Sequence, residues 1–569
     1  MNVRWRRFGL IAVPAVAGLL ATTLLAPAGT APAGAAPARP DRPLPALWAA
    51  RMSQTALVRY YLTHPDQAPD SLRNVLRAAR PGWPRPGRGP APAGPAAAGP
   101  AAGPAAGPGK PVLFTADDLG LPQNQESVTR CAARPDVVLE STNDYRAIAD
   151  PANNFTGWHV STDGGRSLAN EGRLSQTVFP SGAAVQSDGN GVVASDDACN
   201  LYLASSAVDR MNPDSFDNGV VVARSTPDSL AHCPGGTDRA CWPVRKVVVA
   251  APDANEFIDK PWMAVGRSAG RTVVWVSYTE FFVDPDTSAS GTRVKAVRCD
   301  AALTSCGAPV LVSGSDIGAH YSDLTVGPDG GAYVSWVDIA DHDDFTQTFT
   351  IKLRAAPAGS TAFGPTQVVR VEENAIQVGG ALHANTFRSV TIPKTEVRLI
   401  GGRPRAYVVW EACLARVRDG SVCEGAQVKL RYTDDAGSAT ARWSGIRTLS
   451  GRGNAYFPTI SANPGGSALA VAWYTSRYDP TYDNRQDVEL ATVAADGTVA
   501  RVQRLTPMSN APEADPLLLG IYLGNYIEVT ARDDQALVAF TASFRRIPFA
   551  LDGGLPVPQQ DNYLIAGSL

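Results

Sequence analysis

Tyr278 and Glu280 lie two residues apart in the run TVVWVSYTE. Alternation along an extended strand puts both side chains on one face. A phenol is a poor nucleophile alone and a better one beside a carboxylate base, which makes this pair the chain's clearest candidate for covalent chemistry. The other reactive or ligand-binding side chains fall into two sets. Asp259, Lys260, His320, Tyr321, Asp323, Tyr456, Asn525 and Tyr526 each open a short alternating run. Asp144, Arg146, Glu280 and Arg477 each follow one, as do Asn143, Asp338 and Glu411. If those runs converge on one axis, carboxylates, tyrosines and a few cations line a polar cup suited to a hydroxyl-rich ligand. Plainer roles exist for the same residues. Asp259 and Asp323 can satisfy backbone donors, Lys260 can pair with Asp259, and Tyr456 and Tyr526 can pack between repeats. The acidic run Asp338–Asp344 has oxygens enough for Ca²⁺ but lacks a defined loop spacing, so a solvated loop is its alternative. Nothing else points to a cofactor.

The elements that must position these residues repeat. Ala319–Ile339 reads as two short strands joined by a Pro-Asp-Gly-Gly turn, where glycine supplies the positive φ and β-branched or aromatic residues suit a half-buried surface. The same hairpin recurs at Asp259–Tyr278, Thr391–Trp410, Tyr456–Trp473 and Asn525–Phe540. Two degenerate copies lie around Ser141 and Ser205. Each of the five clear copies ends in an aromatic: Tyr278, Trp336, Trp410, Trp473 and Phe540. A spacing of roughly 60 to 75 residues fits four strands plus loops per repeat. The fold class expected is therefore all-β, a β-propeller of four-stranded blades. Seven blades are counted and six are the alternative, with each hairpin forming the two innermost strands.

Four segments are expected. Residues 1–36 read as a secretory signal, with Arg4, Arg6 and Arg7 before the apolar Leu10–Ala26 and small-residue cleavage positions beyond. Residues 37–80 carry helical periodicity and form a short helical or pro-segment. Residues 81–109 are almost wholly Pro, Ala and Gly, an extended linker. Residues 110–569 form the propeller. No stretch after the signal reaches the ~20 apolar residues of a membrane-spanning helix. With 51 Lys+Arg against 54 Asp+Glu, nothing points to nucleic acid or an anionic membrane surface. The eight cysteines suit secretion. Their spacing points to three local bridges, Cys233–Cys241, Cys299–Cys306 and Cys413–Cys423, leaving Cys131–Cys199 to join the first two blades; a zinc site is disfavoured because no CxxC spacing occurs.

At Gly157 the chain reads GWHVSTDGGRSL. Ser161, Asp163 and Gly165 resemble the Asp box, S/T-x-D-x-G-x-x-W/F, of BNR-repeat, sialidase-like secreted β-propellers of actinobacterial type, with Leu168 in the aromatic place. A looser copy is Thr433, Asp435 and Gly437, with Trp443 displaced, and Ser225–Asp228 reads as a decayed third. The resemblance spans roughly residues 111 to 569. It implies a turn between third and fourth strands, away from the ligand face. It also implies sialidase chemistry: three arginines on a substrate carboxylate, a Tyr/Glu nucleophile couple and an acid/base Asp, here Tyr278, Glu280 and Asp323. The chain departs from that pattern. No F/Y-R-I-P motif occurs near Lys110, the string Phe544–Pro548 carries an extra residue at the wrong end, and only Arg146, Arg388 and Arg477 are placed to face a ligand. The reading reached is a secreted, monomeric propeller binding a glycan or other extracellular ligand in its axial cup. An exo-sialidase or other glycoside hydrolase and a protein-interaction propeller are the alternatives. Because the last repeat is one strand short, Pro111–Thr115 is expected to complete it.

Overall fold

A computed structural model describes residues 109–569, apart from 151–153, 211, 213–214, 253–254, 288, 343–345, 376–388, 417–422, 464–467, 484, 512–514, 516–517, 519–522 and 549–555. The signal, helical segment and most of the linker, with Arg388 and Asp344, lie outside those residues. Seven antiparallel sheets are arranged as the blades of a propeller. The innermost strands are Gln123–Arg130, Val192–Ser195, Glu256–Ser268, Ala319–Val326, Lys394–Ile400, Ala455–Ala462 and Glu528–Arg532, each packed against the next and the last against the first. Blade 2 is augmented: Ala184–Ser187 shares the inner position with Val192–Ser195, and Thr177–Val178 extends the sheet.

The expected hairpins are the inner two strands of their blades, paired as Asp323↔Ser335 and Thr459↔Ala472 require. In blades 1, 3, 4 and 6 the inner strand carries a two-for-one bulge. Gln125–Glu126, Lys260–Pro261, Tyr321–Ser322 and Phe457–Pro458 stand opposite Thr142, Tyr278, Trp336 and Trp473. The first residue of each bulge has φ of 65°, 51°, 52° and 49°, a left-handed conformation that costs a non-glycine residue roughly 1–2 kcal/mol. The surrounding ladder holds that strain in place.

Apolar side chains fill the seams between blades, not a single central core. Trp158 meets Trp242 edge-on between blades 1 and 2, and Trp275 and Trp336 share the seam of blades 3 and 4. Trp410 fills the next seam and Trp473 the one after. Cys131–Cys199, Cys233–Cys241 and Cys299–Cys306 are bonded as their spacing predicts. Cys413 is also disulfide-bonded, while the side chain of its expected partner Cys423 lies outside the described residues.

Ring closure follows the predicted route. Val112–Leu113 pairs antiparallel with Pro556–Ser568, as the fourth strand of blade 7 (Val112↔Leu564, Leu113↔Tyr563). Phe114 continues inward, fully buried between Val128 and Val138 of blade 1 and Leu537 and Leu564 of blade 7. Beyond it, Thr115 Oγ1 and the Ala116 amide both donate to Glu171 Oε2 at 3.1 Å, and Gln559 Nε2 donates to Asp117 at 2.5 Å.

The Ser161 turn has the hydrogen bonding its sequence pattern implies. Asp163 Oδ1 accepts from the amides of Arg166 (2.9 Å) and Ser167 (3.0 Å), and Ser161 Oγ accepts from Gly165 (3.0 Å). Leu168 packs into the seam of blades 7 and 1, where an aromatic was expected. At the second copy, Thr433 Oγ1 accepts from the Asp435 amide at 3.2 Å, but the Asp435 carboxylate makes no such bond among the described residues. Ser225–Asp228 is not a decayed third copy. Thr226 caps a six-residue helix, Pro227–His232, by accepting from the Ser229 amide, with proline in its first turn.

Removing residues 1–109 is expected to leave the melting temperature unchanged, whereas removal through Asp118 lowers it sharply by exposing a strand edge. Phe114→Ala alone should cost roughly 3–5 kcal/mol in chemical denaturation. Equal stability of the two truncations would show that the strand does not close the ring.

Candidate functional site

Innermost strands of a propeller begin at the face that usually takes ligands, and second strands end there. The bulges turn their first residues toward the axis, and a hydrogen-bonded ring results. Asn525 Nδ2 donates to Gln125 Oε1 (2.8 Å), and Gln125 Nε2 donates to Asn190 Oδ1 (2.6 Å) and the Tyr526 hydroxyl (3.1 Å). Asn190 Nδ2 donates to Asp259 Oδ1 at 2.8 Å, and Lys260 Nζ donates to Asn190 Oδ1 at 3.1 Å. Blades 7, 1, 2 and 3 are thereby joined through side chains that are all buried.

A second group stands with them. Lys394 Nζ lies 3.4 Å from Asp323 and 3.6 Å from Glu528, and 2.9 Å from the centre of the Trp262 ring. Tyr526 meets Trp262 edge-on at 5.2 Å. Burial pushes the Asp323 carboxyl up to about 6, with Lys394 pulling against it and Glu528 adding to it. Tyr321 and Phe457, both buried, pack in one cluster with Ile392, Leu523 and Tyr526. His320 shares a 2.9 Å hydrogen bond with Thr279 Oγ1 and stacks on Tyr321. Tyr456 donates to Gln486 Oε1 at 3.1 Å. Where an open cup was expected these axial side chains bond to one another, while Glu126 Oε2, Lys394 Nζ and Glu528 Oε2 have no hydrogen-bond partner among the described residues.

Two of the residues proposed for catalysis are engaged by cations of the protein. Glu280 is held by Arg293 and by Lys295 Nζ at 2.6 Å, partners across the adjoining strand. Burial, then the charge of Glu280, pushes the Tyr278 hydroxyl well above the usual phenol range. Asp323 belongs to the Lys394 group. Arg146 is likewise committed: it chelates Asp144, with Nη2 2.8 Å from Oδ2, and its Nη1 donates to Glu171 at 2.7 Å. Burial alone would raise Glu171, but Arg146 and His159 overcome it and bring that carboxyl down to about 2. Burial lowers His159 to about 4, so it stands neutral between Glu140 and Glu171. Arg477 also has a partner, Glu489 at 3.2 Å, but lies on the exposed rim of blade 6.

Asp338 pairs with Lys352 at 2.9 Å, and Asp341 accepts from Gln347 at 2.7 Å. Among the described residues no group of three or more His, Cys, Asp or Glu side chains is placed to hold a metal ion. A shallow depression of about 410 Å³ lies at the Thr433–Ser444 turn of blade 5, lined by Asp434, Arg442 and Trp443. Third strands end on the side opposite the axial ring's face, so this depression is remote from the candidate residues.

Sequence reading passed over Gln125, Glu126, Asn190, Lys394 and Glu528. A signal existed for two of them. Gln125 and Asn190 occupy, in NQES and GNGV, the place that Lys260 and Tyr321 hold in DKPW and HYSD.

No protein-family model matches the chain, and no curated protein does. Among solved structures, it is similar to Penicillium chrysogenum α-L-arabinanase complexed with arabinobiose, at 11% identity over 70% of this chain and 98% of that one, with a TM-score of 0.38. Phage phi92 endosialidase aligns at 9% identity over 81% and 69%, TM-score 0.38. The polysaccharide lyase Uly1 aligns at 12% over 78% and 90%, TM-score 0.41. Likeness this distant says nothing about what the chain acts on.

Two outcomes follow from the axis. Burial raises Glu126 and Glu411 from 4.5 to about 8 and Asp323 from 3.8 to about 6. Groups raised in the folded state stabilise fully below their unfolded values, and that contribution is lost as pH rises through the folded ones. The melting temperature should therefore fall by several degrees between pH 5 and 8.5, less so in Glu126→Gln/Glu411→Gln. A rise across that window would contradict the assignment. Lys394→Met leaves Asp323 and Glu528 without their cation and should cost about 3–5 kcal/mol in denaturant titration.

Proposed function

We propose that the protein is an extracellular, sialidase-like propeller that binds a glycan at the rim of its axial face and does not cleave it. The observation that carries this reading is the commitment of Glu280, Asp323 and Arg146 to partners inside the protein. A glycosidase of the type the Ser161 turn resembles needs a carboxylate free to act as base for its tyrosine. Glu280 is instead neutralised by Arg293 and Lys295. It needs arginines free to clamp a carboxylate, whereas Arg146 is spent on Asp144 and Glu171. A carboxylate already pinned by two cations offers a substrate proton little driving force.

Three closed disulfides support an extracellular setting, where such bonds persist. Among the described residues no helix is long and apolar enough to cross a membrane. With the axis filled, a ligand is left to the loops around it, and a filled centre equally suits protein contacts, the second reading. Exposed tyrosine and arginine on that rim favour the glycan, since rings stack on sugars and guanidinium groups pair with their acidic substituents.

The purified propeller is expected to release no fluorophore from aryl sialosides or aryl arabinosides while retaining at least one glycan class on an array. Robust turnover of an aryl sialoside, abolished by Glu280→Gln or Tyr278→Phe, would establish the hydrolase reading instead. An array without glycan signal, together with capture of a defined protein, would favour the second reading.

A further inference from the structure

The exposed rim of blade 6 carries several cations and an aromatic ring. Its second strand, Ala468–Thr475, leads into a loop that presents Arg477, Tyr482 and Arg485 to solvent, with Arg452 exposed on the approach to the inner strand. Tyr482 is 71% exposed, and the Arg477 side chain 43%. Two of these groups, Arg452 and Arg477, are neighbours. A Cβ on Gly451 would stand 3.0 Å from Arg477 Nη1, and Gly453, at φ +86°, approaches the Arg477 backbone so closely that a Cβ there would stand 2.6 Å from its Cα. Arg452 lies between those two glycines and so beside Arg477.

The loop is held from beneath by its own carboxylates. Glu489 is buried and accepts from Trp473 Nε1 (3.0 Å), the Tyr478 hydroxyl (2.9 Å) and Arg477 Nη1 (3.2 Å). Asp483 accepts from Asn454 Nδ2 at 2.7 Å and from Ser476. Asp479 accepts from the Arg485 amide at 3.2 Å. Arg504, paired with buried Asp487, lies 4.4 Å from the centre of the Tyr478 ring. The backbone of the loop and the Arg477 guanidinium are thus held in place, while Tyr482, Arg452 and Arg485 lie exposed beside them.

We propose that this ledge binds a uronate-bearing polysaccharide chain, which rests on the glycan-binding reading above and specifies its site and ligand class. Exposed tyrosine is a stacking platform for a sugar ring, and guanidinium groups pair bidentately with carboxylates. Several arginines spread along an open rim match carboxylates repeated along a chain.

The test is fluorescence-polarisation binding of labelled oligogalacturonate, with maltohexaose, 3′-sialyllactose and oligoglutamate as the other arms. Oligogalacturonate is expected to bind, with affinity that falls as NaCl is raised from 50 to 500 mM because exposed charges are screened. Arg452→Ala and Tyr482→Ala should each weaken it about tenfold, equivalent to about 1.4 kcal/mol, with the melting temperature unchanged. Oligogalacturonate binding unaltered by either variant would place the site elsewhere. Equal or tighter binding of 3′-sialyllactose would overturn the polymer, and of oligoglutamate the saccharide. Preferred binding of maltohexaose would overturn the acidic class while leaving the glycan reading intact. Failure of every saccharide here and on the array would overturn both.

Discussion

A ring of sheets has no first or last member, whereas a polypeptide has two ends, and this structure depends on how the two are reconciled. Blade 7 receives three strands from the C-terminal end of the chain and its fourth from Val112–Leu113. Without that strand, Pro556–Ser568 would present an unpaired edge of a kind that invites aggregation. The pairing is only two residues long, so hydrogen bonds alone make a weak latch. Strength comes from Phe114, buried between blades 7 and 1, and from Glu171 and Gln559, which hold the residues that follow it.

Closure also explains why the axis is filled. Seven inner strands brought into one ring converge on a narrow space, and bulges with positive φ turn side chains from at least four of them toward it. Polar groups placed there lose water, so each needs a partner within the ring. Asn525, Gln125, Asn190, Asp259 and Lys260 supply partners to one another, and Lys394 serves two carboxylates at once. The same desolvation that raises Asp323, Glu126 and Glu411 makes the centre a costly place to admit a ligand. The recognition proposed above accordingly lies outward, in loops whose side chains remain hydrated.

Much of the architecture was legible because its determinants are local. Alternation, a tight turn and a terminal aromatic mark five hairpins, each within about twenty residues, and with two degenerate copies they specify a propeller. Cysteines seven and eight residues apart bridge single loops, so proximity in sequence was a sound guide to Cys299–Cys306 and Cys233–Cys241. The missing fourth strand of the last repeat announced its donor by strand arithmetic. One local signal was misread: Thr226-Pro227-Asp228 is a helix start, and its proline in the first turn says so.

The chemistry of the face belonged to tertiary structure. Tyr278 and Glu280 do share one side of a strand, as alternation requires, but Glu280 spends its charge on Arg293 and Lys295 in the strand beside it. That pairing depends on a register set by the intervening loop. Arg146 reads from sequence as a free cation and is in fact chelated by Asp144 and Glu171. At the axis the distances are longer still: Gln125 meets Tyr526 across 401 residues of chain, and Thr541 meets Glu126 across 415. Residue types alone determined that polar groups would gather at the centre. Whether they would wait there for a ligand or satisfy one another depended on ring closure, because only the closed ring removes the water that would otherwise have kept them apart.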